Sequence, residues 1–282
     1  MKFDFVVMNP PYQPPTKKSE GGSGSRNTIW DKFVSKAFTL VKQDGFLCAI
    51  HPSKWRKPED ELFVEFQKRS LLHLDIHNKQ EGDKVFGATT RFDWYVLQNL
   101  LDKNIKTTIR DELGNHVECN LNDWPFIPNF DFETVSSLLA KDGEPTSPIL
   151  YSRGAYDGNR AVHMSETKHD DFIYPCVAST CKGGVRFCYS NTKDKGLFGI
   201  PKVIFGDADT IQNIIVDFKG EYAMAPHALA IQIDSEEEGY KIKGALESDK
   251  FNSFLLACRW SNFMIEWRMF KYFRKDFWKE FV

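Results

Sequence analysis

Residues 3–8, FDFVVM, run straight into Asn9-Pro10-Pro11-Tyr12, and this junction limits the fold more tightly than any other stretch of the chain. Aromatic and β-branched side chains follow one another there with little polar alternation, the pattern of a strand buried on both faces of a parallel sheet. Each proline fixes its own φ and biases the residue before it towards an extended conformation. Asn9 therefore cannot start a helix. Its side chain is held at the carboxyl end of the strand, where α/β sheets gather their ligands.

Downstream the chain alternates strands with helices. QPPTKKSEGGSGSRN (13–27) has no apolar periodicity and is long enough to serve as a lid or binding loop. Ile29, Trp30, Phe33, Val34, Ala37, Phe38 and Val41 then make a helical stripe closed by Gly45. Phe46–Ile50 reads as a second buried strand, ELFVEFQKRSLL as an amphipathic helix, LLHLDIHN as a short strand, and DWYVLQNLL as another after VFGATTR. This spacing predicts an α/β fold over 1–103, half of a doubly wound, Rossmann-like sheet. Beyond it, over 104–282, a mixed α+β domain is expected. It has a helix near 131–141, short strands in FIYPCVAS, GVRFCYS, PKVIFG, NIIVDF and HALAIQI, and helices opened by Ser235 and Ser248. A last helix is expected through NFMIEWRMFKYFRKDFW.

The corner has a chemical use. An exocyclic amine on a nucleobase is a poor nucleophile because its lone pair is delocalised into the ring. A site that alkylates it should accept hydrogen bonds from both amine protons, and Asn9 offers a side-chain carbonyl and Pro10 a rigidly aimed main-chain carbonyl. Tyr12 adds a flat face on which an everted base can stack.

FDFVVMNPPYQ resembles the NPPY segment of the adenine-specific DNA methyltransferases of restriction-modification systems. IWDKFVSKAFTLVKQDGFLCAIHPSKW resembles the helix and strand that follow NPPY in that family, and VFGATTRFDWYVLQN resembles its later motif, in which an aromatic stacks on the extruded adenine. The resemblance implies S-adenosyl-L-methionine (SAM) as methyl donor, double-stranded DNA as partner, and Asn9, Pro10 and Tyr12 as catalytic residues. It points to Phe86 as a second stacking residue, with Phe92 as the other choice, and to a target-recognition role for the C-terminal part. The glycine-rich loop and acidic residue that hold SAM in the family precede NPPY, where this sequence has only Met1–Met8. Downstream, VIFGDAD has one glycine and GAL one more, and neither offers the spaced glycines of such a loop. The expectation is the C-terminal half of a methyltransferase: either a separate polypeptide supplies the SAM half, or the gene is split or truncated and the chain is inert alone. The rival readings are a non-catalytic DNA-binding or specificity subunit, and a protein-glutamine or RNA methyltransferase.

Lys17, Lys18 and Arg26 in the 13–27 loop, and Lys54 and Arg56 around Trp55, are candidate DNA-backbone contacts, a solvated surface cluster being the competing reading for the last two. Arg268, Lys271, Arg274 and Lys275 interleave with aromatics whose expected role is packing. A net charge of −2 announces no polyanion partner, so any such surface must be local. No CxxC pair or Cys/His quartet appears among the six cysteines, and transfer from a sulfonium calls for no metal. With no apolar run near the roughly 18 residues of a membrane span and no secretory pattern at the N-terminus, a cytoplasmic, membrane-free protein is expected.

Overall fold

The computed structural model describes residues 1–14, 28–102, 104–156, 158, 160–208, 210–261 and 264–282. In order, β1 (Phe3–Met8), α1 (Trp30–Leu40), β2 (Val41–Pro52), α2 (Glu61–Gln67), β3 (Ser70–His77), α3 (Lys79–Phe86), β4 (Phe92–Gln98), β5 (Thr107–Arg110) and β6 (His116–Cys119) build one sheet and its helices. The strand order is β1-β2-β4-β3-β5-β6, with β1 parallel to β2 and β4 antiparallel to both its neighbours. The α/β expectation is borne out, with a reversed strand set into the sheet. Two compact units result, Met1–Phe132 and Glu133–Val282. The division lies beyond the expected 103 because β5 and β6 extend the first sheet and residues 127–129 accept hydrogen bonds from Arg56.

Strand register decides what is buried. Val6 and Met8 share a face with Leu47 and Ala49 of β2 and with Leu97 and Tyr95 of β4, and against that face pack Trp30, Val34, Ala37 and Phe38 of α1 and Leu62, Phe63 and Phe66 of α2. The other face carries Phe5 and Val7, then Phe46, Cys48 and Ile50, then Val96 and Trp94. Its β2 and β4 residues are half-buried, while Phe5 is 70% and Val7 79% exposed. β1 was expected to be buried on both faces. Among the described residues it stands at the end of the sheet and is covered on one, because periodicity in a single strand reports its residues and not its place in the sheet.

The expected helix over 29–45 is also shorter. It stops at Leu40, and β2 starts at once, so Gly45 is no helix cap. It lies within β2 against β1, where a Cβ would stand 2.9 Å from the Asp4 carbonyl oxygen. α3 was not foreseen. Asn78 and Glu81 form a reciprocal capping box at its start, and Gly87 closes it in the left-handed conformation.

α4 (Phe132–Leu138) opens the second part, followed by β7 (Ile149–Tyr151), α5 (Arg160–His163), β8 (Met164–Ser165), β9 (Tyr174–Cys181), β10 (Gly184–Ser190), β11 (Lys202–Gly206), β12 (Ile215–Asp217), β13 (Ala223–Met224), β14 (Ala228–Gln232), α6 (Glu236–Glu247) and α7 (Asp249–Ala257). Among the described residues the strands make two sheets, β13-β9-β10-β8 and β12-β11-β14-β7. Ser235 and Ser248 cap α6 and α7 as the sequence implies. The last expected helix is replaced by short 3-10 turns at Trp267–Tyr272 and Phe277–Phe281. Backbone groups that a helix would use internally are taken up elsewhere: the Arg274 N–H donates to the Leu138 carbonyl at 2.9 Å and the Ala140 N–H to the Tyr272 carbonyl at 2.8 Å. The rings in these turns do pack inward, with Phe270 and Phe277 buried against Phe251 and Phe273 against Phe254. Among the described residues, no helix is long and apolar enough to cross a membrane.

Candidate active site

β1 delivers Asn9 to the carboxyl end of the sheet. Asn9 is exposed, Pro10 beside it is buried, and the Asn9 side chain has no hydrogen-bond partner among the described residues. The corner is pinned on its far side, where the Ile29 N–H at the start of α1 donates to the Tyr12 carbonyl at 3.3 Å. A rigid turn anchored on both flanks thus presents an amide side chain that nothing in the described protein occupies.

Tyr12 is half-buried, and its hydroxyl is enclosed with no partner among the described residues. Loss of solvent, followed by the nearby Asp93 charge, pushes the phenol up to about 12, so it stays protonated. The Tyr12 and Phe86 rings meet edge to face, with centroids 5.7 Å apart and planes at 68°. Phe86 in turn abuts Phe92 at 5.0 Å, and Phe92 lies flat on His77 at 4.4 Å. The two rings named from the sequence as base-stacking candidates are therefore neighbours. Phe92, the second choice, is 3% exposed and part of the interior. Phe86 sits against Tyr12 at the end of α3, which is held at its start and along its length. The Asn78 box fixes its start, and Gly82 lies so close to the Thr90 carbonyl that a Cβ would stand 2.0 Å from the oxygen.

The basic candidates separate. Lys17, Lys18 and Arg26 lie outside the described residues. Lys54 is exposed just past the end of β2 and lines a cleft of about 980 Å³ that it shares with Lys57, Asp60, Glu61 and Glu65. Arg56 is a correction: it is fully buried and makes no DNA-facing surface. Its Nε donates to Asp93 Oδ2 at 2.8 Å, and its terminal nitrogens donate to the carbonyls of Ile127 and Pro128 and to Asn129 Oδ1, each at 3.0 Å. The Trp55 indole N–H donates to the same Asp93 oxygen. Asp93, not singled out from the sequence, is thus the hub that holds the end of β2 to β4. FDW at the start of β4 was the available signal, since an aspartate among apolar strand residues needs a partner once it is buried.

A cavity of about 330 Å³ opens beside Asn9, lined by Val7, Met8, Asn9, Cys48, Ala49, Ile50 and Trp94. SAM carries an ammonium, a carboxylate and ribose hydroxyls, and a site for it needs placed polar groups for each. None of the cavity's side chains is charged, and Asn9 is its one amide. The residues present do not by themselves fit the donor.

Residues 1–86 match the family model described as Eco57I restriction-modification methylase. Over this segment the resemblance to adenine-specific restriction-modification methyltransferases is borne out. An uncharacterized adenine-specific methylase of Mycoplasma pneumoniae is 33% identical over 76 residues, 27% of this chain and 17% of that protein. The match therefore spans less than a fifth of that relative's length. Among solved structures, the Type IIL restriction-modification enzyme MmeI in complex with DNA is similar over 95% of this chain and 45% of its own, at 10% identity and a TM-score of 0.47. A nuclease-deletion mutant of the Type ISP restriction-modification enzyme LlaGI, with a DNA substrate mimic, is similar over 89% and 38%, at 12% identity and a TM-score of 0.45. Neither likeness is high enough to carry a residue's role across.

Proposed function

We propose that this chain orients adenine for N6 methylation of DNA, as the NPPY-bearing part of a SAM-dependent restriction-modification methyltransferase whose donor-binding half is supplied from outside the residues described. The unpartnered amide of Asn9 on its pinned proline corner carries this reading. The two N–H bonds of the adenine amine donate to Asn9 Oδ1 and to the Pro10 carbonyl, which draws the nitrogen lone pair out of conjugation and aims it away from the ring. Tyr12 supplies the face for the extruded base. Phe86, in edge contact with Tyr12, gives way to the base and closes its other side. Holding the amine in attack geometry is the main contribution of these residues to rate. Unit Glu133–Val282, with its two sheets, takes the part of DNA target recognition.

Asn9→Ala in the complete, donor-loaded enzyme should lower transfer about 10²–10³-fold, the cost of removing one aimed hydrogen-bonding group, with DNA affinity nearly unchanged. Near-normal turnover would refute the assignment. The uncharged cavity favours one second reading, a DNA-binding specificity subunit without catalysis. SAM titration and DNA-binding assays on the complete enzyme separate the two, since a subunit of that kind would bind DNA selectively in an assembly that never methylates it.

A further inference from the structure

One stretch of the second unit stands apart in charge. Residues 172–190 hold Lys182 and Arg186 and no acidic residue, in a chain with 39 acidic residues against 37 lysines and arginines. They enclose the β9–β10 hairpin, two antiparallel strands joined through Lys182 and Gly183, with Gly184 at positive φ (108°). The stem is anchored: the Gly206 N–H donates to Thr180 Oγ1 and the Asn213 side-chain amide to the Cys181 carbonyl, each at 2.7 Å. Lys182, Gly183, Arg186 and Phe187 are exposed. Val177 and Ser179 pair with the consecutive Phe187 and Arg186, so Ala178 is the extra residue of a bulge, a device that re-aims the side chains around it. Neither Lys182 nor Arg186 has a hydrogen-bond or ion-pair partner among the described residues, whereas Arg259, Arg268 and Arg274 of the same unit are all bonded. Arg153 is equally free, but it lies in a turn and not on an anchored ribbon.

We infer that the β9–β10 hairpin enters the major groove of the DNA and that Arg186 reads one guanine there. The inference deepens the target-recognition role proposed for Glu133–Val282 and rests on it. A two-stranded ribbon fits the width of that groove, about 12 Å. The guanidinium of Arg186 is a planar fork of donors, and guanine presents two acceptors, O6 and N7, that such a fork meets together. A side chain left unbonded by its own fold gives up no internal bond when it turns to a base, and a ribbon held at Thr180 and Cys181 presents it with little left to order. An acid-free hairpin sets no like charge against the phosphates, and Lys182 at its tip is placed to neutralise one of them. Arg186 is thus the residue that reads sequence, and Lys182 one that positions the hairpin without reading it.

The test selects duplexes from a random-sequence pool with the complete enzyme and compares the wild type with Arg186→Ala, Arg186→Gln and Lys182→Ala, all at exposed positions. The wild type should enrich a sequence with a guanine that Arg186→Ala no longer requires, every other position keeping its base. Affinity for the enriched duplex should fall about 10–100-fold in Arg186→Ala. Arg186→Gln, whose amide matches N6 and N7 of adenine, should move that one position towards adenine. Lys182→Ala should enrich the wild-type sequence and lower the slope of log affinity against log salt by about 1. The inference is overturned by a wild-type pool without an enriched sequence, by an unchanged or evenly relaxed sequence in Arg186→Ala, by retained guanine in Arg186→Gln, or by an unchanged slope in Lys182→Ala. The proposed methylation fails separately: an enzyme whose selection changes as described yet never makes N6-methyladenine leaves the role of the hairpin standing and sinks that function. Methylation by Arg186→Ala at the wild-type sequence alone does the reverse.

Discussion

Asn9 and Arg56 stand at the carboxyl ends of adjacent strands, and each is polar, yet they have opposite environments. Asn9 is exposed and bonded to nothing among the described residues, whereas Arg56 is fully buried with hydrogen bonds to Asp93, Ile127, Pro128 and Asn129. The difference shows how the ligand end of this sheet divides its work. A residue whose capacity is saturated by its own chain holds the platform together, and a residue left unsatisfied on a rigid backbone remains to meet a substrate. Position at a strand end was the argument for both in the sequence, and it distinguishes neither.

The sharpest way to break this comparison is to exchange stability for activity at the two sites. Arg56→Ala leaves Asp93 buried without its cation and should destabilise the first unit by about 3–5 kcal/mol, as for other broken buried pairs. Asn9→Ala removes no hydrogen bond within the described chain and should stay within about 0.5 kcal/mol. Urea unfolding of the isolated chain measures both. A small effect for Arg56→Ala would mean that water reaches the pair, and the division into platform and site would fail.

His51 extends the platform side and makes it pH-dependent. It is buried on β2, stacked on Trp30 at 4.5 Å, with Nδ1 3.1 Å from the Pro52 carbonyl and Nε2 3.1 Å from the Tyr95 hydroxyl. The Nδ1–H therefore donates to Pro52, and Nε2 accepts from Tyr95 in the neutral ring. Burial lowers its pKa to about 4, below the ordinary 6.5. The unfolded chain therefore binds a proton between these values that the folded chain refuses. Stability is complete above pH 6.5 and falls as the pH drops towards 4, by about 3 kcal/mol at roughly 1.4 kcal/mol per unit. His51→Gln, neutral throughout, should remove this slope from the denaturation profile, and an unchanged slope would place the titrating group elsewhere.

What could be read from the sequence follows the range of the interactions involved. The Asn9 corner was legible because proline acts on its immediate neighbours, and the strand and helix before and after it carry their own periodicity. Ser235 and Ser248 were legible for the same local reason, and Asn78 with Glu81 three residues on carried an equally local signal for α3 that went unread. The fate of Arg56 was not legible, because its partners lie 37 to 73 residues away and only the fold brings them together. β1 shows the same limit: its apolar run is real, but whether a second strand and a covering helix meet it depends on what lies beside it in space.

Lys54 is the finest test of the comparison, because it has the exposure of Asn9 without its isolation. It stands past the end of β2, where it can reach a phosphate, but its cleft also holds Asp31, Glu59, Asp60, Glu61 and Glu65. Burial holds the Asp60 carboxyl above its ordinary value, with the Lys57 charge, and Lys54 to a smaller degree, pulling the other way. If Lys54 neutralises one phosphate, Lys54→Ala should reduce the slope of log affinity against log salt by about 1, weaken binding equally across DNA sequences, and leave transfer on saturating DNA untouched. If the slope stays the same, the surrounding carboxylates already neutralise this lysine, and the DNA-facing charge lies elsewhere on the chain.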